Sequence, residues 1–455
     1  MNDAASIISP VTRELSAYIA GALERPLPPD VAEKGRHHLM DTLAAMVSGS
    51  RLLPGEKAIA YAKSLGGVKE SLVVGTRLLT SCVNAALANG MMAHADETDD
   101  SHPRAQAHPG CGVVPAALAM AERGGRDGNA LLRAVVLGYD ICARAMFALG
   151  GPWVLRNAGH SSHSFGPLFG AAAAAGALAG LDADKVRYLL SYTAQQAAGV
   201  ETWARDKEHV EKAFDFGGMT ARNGVTAATL AQSGCTGVED VFAGERNFLS
   251  IYSPTPDSEA FIKDLGTTFE VMNTSIKRWS VGSPIQAALD SLAAIIAEHK
   301  IDADDVEKLT VTVNAVGART VNDRSIPDIN IQHLLSVMLI DGTVTFASSH
   351  DEERMHDPRV LQLKNRIALK GREDFEHPRQ GMIEILTRDR RDLKHHTKAV
   401  RGTAINPLTR PEVDAKCLDL TAPVLGKRRA RRLIDAVWNI EQLPDARELR
   451  PLLRV

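Results

Sequence analysis

Between His94 and Gly110 the chain reads HADETDDSHPRAQAHPG: His94, His102 and His108 stand among Asp96, Glu97, Asp99, Asp100 and Ser101, and a His-Pro-Gly turn closes the stretch. Imidazoles and carboxylates packed this densely shift one another's proton affinities, which acid–base chemistry exploits. A solvated acidic helix end would need the carboxylates but not the histidines or the Pro-Gly turn. A second constellation is Gly159-His160-Ser161-Ser162-His163-Ser164-Phe165-Gly166, just ahead of an alanine-rich run. Its serines and glycine make a turn feeding a helix N-terminus, where backbone N–H groups favour an anion. A histidine there serves as acid or base toward a bound carboxylate, or simply caps the helix. The third is Lys207-Glu208-His209-Val210-Glu211-Lys212, followed by Phe214-Asp215-Phe216-Gly217-Gly218. Here the Lys212 ammonium, beside an aromatic and glycine-rich turn, is in reach of a carboxylate, although a lysine taken alone is usually a surface charge.

Helices must position these groups. Val83 to Gly90 is apolar and alanine-rich and reads as a helix running into His94. If that helix continues, His94, Glu97 and Ser101 fall at i, i+3 and i+7 on one face. Pro28-Pro29-Asp30 opens a helix to Gly49, and further helices are expected through Ala58 to Ala62, Val114 to Glu122, Asn129 to Phe147 and Met219 to Gln232. Ser71 to Gly75 is strand-like. Frequent Ala and Gly let such helices approach closely, as in a compact bundle, and aromatics at 5% are too few for an aromatic-lined cavity. After Asn273 the character changes. A helix runs from Ser283-Pro284 to Lys300, Leu309, Val311 and Val313 alternate as a strand, Ile331 to Ile340 is a helix, and Met382 to Leu386 a further strand. Glu373 to Arg379 and Arg388 to His396 are highly charged and suit exposed turns. Near Ala404 the Asn-Pro-Leu-Thr-Arg-Pro punctuation begins a return to helix. The basic run Lys427 to Arg432 reads as a solvated face, since no aromatics interleave it.

A chain of 455 residues exceeds what one hydrophobic core serves, so two domains are expected. Hydrophobic residues at 45% and charged ones at 24% describe an ordinary soluble globular protein. A net charge of -3 gives no general pull toward nucleic acid or an anionic membrane, so a small anion must be caught by local cations. MNDAASIISP lacks the basic start and long apolar run of a signal peptide, and Pro167 to Leu181 is too short to span a bilayer; a cytoplasmic location is the expectation. Cys82, Cys111, Cys142, Cys235 and Cys417 are scattered with no C-x-x-C pair, which argues against a zinc knuckle, an iron–sulfur cluster and a disulfide framework.

Several motifs in order carry a resemblance. Asp41-Thr42, the H-A-x-E-x-D-D-S-H stretch with its following His-Pro-Gly, and G-H-x-x-x-x-F-G before an alanine helix resemble the MmgE/PrpD family. So do Lys212 before Ala221-Arg222-Asn223-Gly224, Thr236-Gly237 with Phe242 and Gly244, Ile276-Lys277-Arg278-Trp279, and Asn406-Pro407-Leu408-Thr409 with Lys416. Each motif is short; their shared order over residues 28 to 417 carries the likeness. The resemblance implies a mainly α protein with an α+β lid: a large all-helical domain from residues 1–272 and 404–455, and a smaller α/β domain inserted at 273–403. It implies a homodimer and a cofactor-independent lyase or isomerase: a dehydratase, with decarboxylase or epimerase as alternatives. The substrate would be a small di- or tricarboxylate. All three reactions create or quench negative charge on the carbon next to a carboxylate, and fixed cations and hydrogen-bond donors must hold it. Carried over residue by residue, the resemblance makes His160 the first choice for general acid/base, Lys212 the active-site lysine and His108 a secondary proton carrier. It gives His94, Glu97, Ser101, His102 and His163 to substrate binding, with Lys277 and His333 of the lid closing over the substrate.

Three departures bear on the substrate. Asp215 replaces a histidine common in the family, Ser283 falls where many members carry a lid histidine, and Glu97 lengthens an acidic arm by a methylene. Together they suggest a substrate less charged than a tricarboxylate. Other readings compete. Asp96-Glu97-x-x-Asp100 resembles the magnesium motif of terpenoid synthases, but no N-D-x-x-S-x-x-x-E partner follows. His94, His102 and His108 with Glu97 and Asp100 would instead suit a zinc or iron centre. An EF-hand is excluded, because the loop lacks its sixth-place Gly and twelfth-place Glu. A non-catalytic carboxylate-binding protein is the last alternative.

Overall fold

The computed structural model describes residues 8–375 and 379–455. Most of the N-terminal stretch read for a leader, and part of the charged turn at 373–379, lie outside the described residues. Contacts divide the chain into two units: one gathers residues up to Ala95, Asp99–Thr274 and Val413–Val455, the other Asp96–Thr98 and Ser275–Glu412.

The first unit is helical. Pro29 begins the helix Pro29–Gly49 with its φ already set, Ser81 caps Cys82–Ala93 by accepting from the Asn84 amide, and Asp127 caps Gly128–Ala148 through Ala130. At the centre lies Ser162–Leu178, apolar all round and buried along nearly its whole length. It packs against Pro109–Gly124, Gly128–Ala148 and Met219–Gln232. Glycine makes that packing close: a Cβ on Gly170 would stand 2.4 Å from the Gly138 carbonyl oxygen. The return segment is pinned by charge, Lys416 Nζ donating to Asp41 Oδ1 at 2.5 Å from the helix Arg410–Leu425.

The second unit is α/β. A four-stranded sheet runs in the order Ile367–Arg372, Val306–Asn314, Gly381–Thr387, Asp392–Thr397, parallel between the first two and antiparallel thereafter. Alternate residues of Gly381–Thr387 are buried, so one face meets the core made with helices Gln286–His299 and Ile331–Asp341. The expectation of an exposed turn over Arg388–His396 is corrected: a short turn gives way to the strand Asp392–Thr397. Its charged side chains suit the sheet edge, where Lys394 Nζ donates to Glu384 at 2.9 Å. The molecule is thus mainly α with a smaller α/β region. Among the described residues no helix is long and apolar enough to cross a membrane.

Candidate active site

Helix Cys82–Ala93 stops at His94, where the backbone leaves the helical region (φ -118, ψ 36). His94, Glu97 and Ser101 therefore do not share a helical face. The cause is local: the Thr98 amide and hydroxyl both donate to Asp96, at 3.0 and 2.5 Å, a side-chain turn that competes with helix. Beyond it the chain folds back. His102 and Ala107 pair through their backbones, closing a turn in which Gln106 takes φ 44. The His102 ring is spent on this turn, its Nδ1 accepting from the Ala105 amide at 3.0 Å and its Nε2 facing Glu270 Oε2 at 3.0 Å. What the turn delivers is His108, at the head of helix Pro109–Gly124.

Opposite stands a stretch that the sequence reads as a turn and that is in fact π-helical, Phe214–Gly218, running into helix Met219–Gln232. One wide turn of this kind recurs at functional sites, because the extra residue re-aims its side chains. Gly217 lets it lie directly on the end of helix Cys82–Ala93, since a Cβ there would fall 2.1 Å from the Gly90 carbonyl oxygen. Phe216 is the result. His94 stacks on it with ring centroids 4.4 Å apart, His163 stacks at 4.2 Å, and His108 tilts against it at 5.4 Å. His209 lies 5.2 Å from His94, and Lys212 Nζ is 5.3 Å from the Phe216 centroid and 5.6 Å from that of Trp203. Three imidazoles and an ammonium are grouped around one phenyl ring, with a fourth imidazole beside His94.

Asp99, fully buried, stands behind them, its Oδ2 2.9 Å from His94 Nδ1 and its Oδ1 3.0 Å from His108 Nδ1. Burial works to raise its carboxyl, but the two imidazoles outweigh it and hold the group well below the usual range. Burial pushes His163 well down, with His108 and Lys212 adding to the effect, and lowers His94 against the pull of Asp99. Asp215 is pushed up to about 7 by burial, against a hydrogen bond from Ser161. It brings less negative charge than its residue type suggests. Ser161 in turn accepts from Trp203 Nε1 at 3.1 Å, so this carboxyl braces the aromatic wall.

Of the residues singled out from sequence, the structure brings together His94, His108, His163 and Lys212. His160 is placed elsewhere. It precedes the helix in a bridge to Val200, and its ring packs on Phe165 and Tyr252. Helix Ser162–Leu178 starts after it, which leaves His163 in the first helical turn and beside Phe216. Ser101 is buried next to Asp100, which accepts from His38, Tyr139 and the Gly110 amide. Glu97, Lys277 and His333 belong to the other unit. There Lys277 Nζ donates to the Glu97 carbonyl at 2.7 Å and lies 3.3 Å from its carboxylate, while burial pushes His333 down to about 4. Sequence reasoning gave no role to Asp99, His209, Phe216 or Trp203. A 5% average hides two aromatics concentrated at one place.

A metal fits these donors poorly. His94, Asp99 and Cys111 offer atoms within 4.8 Å of one another. Both Asp99 oxygens already serve imidazoles, and burial together with nearby carboxylates pushes the Cys111 thiol well up, away from the thiolate a metal binds. His102 and Glu97 are engaged elsewhere. A separate cavity of about 590 Å³, lined among others by Arg104, Arg144, Trp153, Lys263 and Glu270, contains no histidine. Its opposite charges balance one another.

Family models match two successive stretches of the chain. The MmgE/PrpD N-terminal domain model matches residues 13–260 and the C-terminal domain model residues 279–442. A protein named cis-aconitate decarboxylase from Aspergillus terreus is 23% identical, over 98% of this chain and 96% of its own. One of the same name from Homo sapiens is 24% identical, over 98% and 95%.

Proposed function

Because the chain belongs to the MmgE/PrpD family, an enzyme family, we propose that it is a lyase acting on a small di- or tricarboxylate, with proton transfer at the carbon next to a carboxylate and without a cofactor. Decarboxylation is the favoured reaction, since the similar proteins bear that name; dehydration and epimerisation pose the same problem of charge. A homodimer in the cytoplasm belongs to the same reading.

The grouping of His163, His108 and Lys212 around Phe216 carries the proposal. When a carboxylate leaves as carbon dioxide, or an α-proton is taken, the electron pair stays on carbon and spreads into the remaining carboxylate. Lys212 holds that charge on the carboxylate oxygens. His163, whose proton affinity burial and its cationic neighbours depress, is neutral at working pH and is the base where an α-proton is taken; His108 takes up a proton from solvent on Nε2 when the substrate carboxylates bind and returns it to the carbon. This moves the general acid/base from His160, the expectation from sequence, to His163. The aromatic wall keeps water from competing for the carbanion.

The test is a panel of di- and tricarboxylates, following carbon dioxide release, water loss and exchange of the α-hydrogen in deuterated water. We expect one to turn over, and His163→Asn or Lys212→Met to lower kcat/KM by roughly 10²–10⁴-fold, with His160→Asn far milder. No turnover and no exchange with any member of the panel, or full activity in both His163 and Lys212 variants, sinks the reading.

A further inference from the structure

Two buried imidazoles share one carboxylate, and that arrangement asks for more than packing. A carboxylate has no proton to give, so a ring facing it must present N–H. With Asp99 Oδ2 at His94 Nδ1 and Oδ1 at His108 Nδ1, both rings are compelled to carry hydrogen on Nδ1. Their Nε2 atoms are then the proton acceptors. That of His94 is fully buried and has no hydrogen-bond partner among the described residues, an expensive condition for a polar atom unless a ligand completes it. It adjoins Phe216, on which the other site imidazoles also lie.

We propose that Asp99 is the positioning residue of the site, orienting His94 and His108 together so that both offer a bare Nε2 to the substrate. For its catalytic consequence this rests on the reaction class proposed above; the orientation itself does not. Asp99 acts through the rings and touches no reacting atom. Proton transfer at His108 Nε2 leaves a positive ring that Asp99 faces, and the shared carboxylate couples that charge to His94.

The same geometry gives a sharp expectation for Asp99→Asn. An amide has one accepting oxygen and one NH2, so it satisfies one ring as before and obliges the other to accept at Nδ1, moving that ring's hydrogen to Nε2. Nitrogen NMR of protein labelled in histidine reads the tautomers directly, the His94 and His108 signals being identified by their loss in His94→Gln and His108→Gln. We expect both rings to carry hydrogen on Nδ1 in the unaltered enzyme, and one of them to switch in Asp99→Asn. With a substrate from the panel, kcat should fall about 100-fold or more with KM little changed, and the pH profile of kcat should move; Asp99→Glu should keep the tautomers and recover part of the rate. Hydrogen on Nε2 of either ring in the unaltered enzyme overturns the proposal, as do tautomers unchanged by Asp99→Asn or a switched ring with kcat and pH profile intact. Should Asp99→Asn fail to fold, the unaltered protein decides by itself. If the tautomers are as expected but no carboxylate reacts, the reaction class has failed and the positioning role stands.

Discussion

Glu97 carries one methylene more than an aspartate, and the added length has a use. Its carboxylate lies 3.3 Å from Lys277 Nζ, while its carbonyl accepts from the same ammonium at 2.7 Å. Taking the charge from one member of so closely held a pair leaves the other poorly compensated, at a cost of roughly 1–3 kcal/mol. Glu97→Gln should therefore lower the urea midpoint of unfolding; an unchanged midpoint rejects this account of Lys277. At this scale residue type alone drew attention to His94, His108, His163 and Lys212, which the structure groups around Phe216. It was uninformative where role depends on what a side chain faces. Asp99 is one acid among four in its stretch, and only the fold sets its two oxygens against two rings. His160 and His163 lie three residues apart in one motif, and a helix that starts at Ser162 sets His163 against Phe216 and leaves His160 against Phe165. Boundaries are what periodicity fixes least well.

Among the elements, the π-helical turn Phe214–Gly218 sets the site, and its seating is unforgiving. A methyl at Gly217 would meet the Gly90 carbonyl oxygen at 2.1 Å and its carbon at 2.7 Å, backbone atoms that have no rotamer to change. Gly217→Ala should cost roughly 1–3 kcal/mol or more, the usual range for overpacking, and shift Phe216 out of its stacks on His94 and His163. Urea denaturation, together with the emission of Trp203 at 4.8 Å from Phe216, checks it; an unaltered midpoint and spectrum would show that the turn has slack. The helices themselves were legible from their apolar spacing and caps. Where the reading went astray, a local or neighbouring contact overrode the pattern. Two hydrogen bonds from Thr98 to Asp96 follow the end of a helix that composition would continue, and Asp392–Thr397 has no apolar run because its partner strand supplies its backbone bonds.

At the scale of the whole molecule, contacts gather Asp96–Thr98 with Ser275–Glu412, a grouping that nothing in the sequence signals. What binds those residues there is an ion pair, His350 Nε2 to Asp96 Oδ2 at 2.9 Å, with Asp96 also accepting both Thr98 donors. Burial works against charge on His350, yet Asp96, helped by Asp328 and the Phe346 carbonyl, outweighs it and holds the imidazole up at about 9. Burial likewise opposes the charge on Asp96, and His350 and Thr98 hold its carboxyl down. The signs follow. A histidine whose affinity is raised on folding stabilises fully below its unfolded value, about 6.5, and that contribution drains away as pH climbs through about 9. The Asp96 contribution is present above the ordinary carboxylate range and lost only as pH falls below it, so the pair is intact around neutrality. The shift corresponds to about 3 kcal/mol. Unfolding free energy should accordingly fall by that order between pH 6 and 9.5, and His350→Gln, which leaves Asp96 without its counter-ion, should lower stability at pH 6 by about 3–5 kcal/mol while flattening the alkaline decline. Denaturant titrations of both proteins at the two pH values measure this, and equal slopes would mean that this pair does not hold the segment.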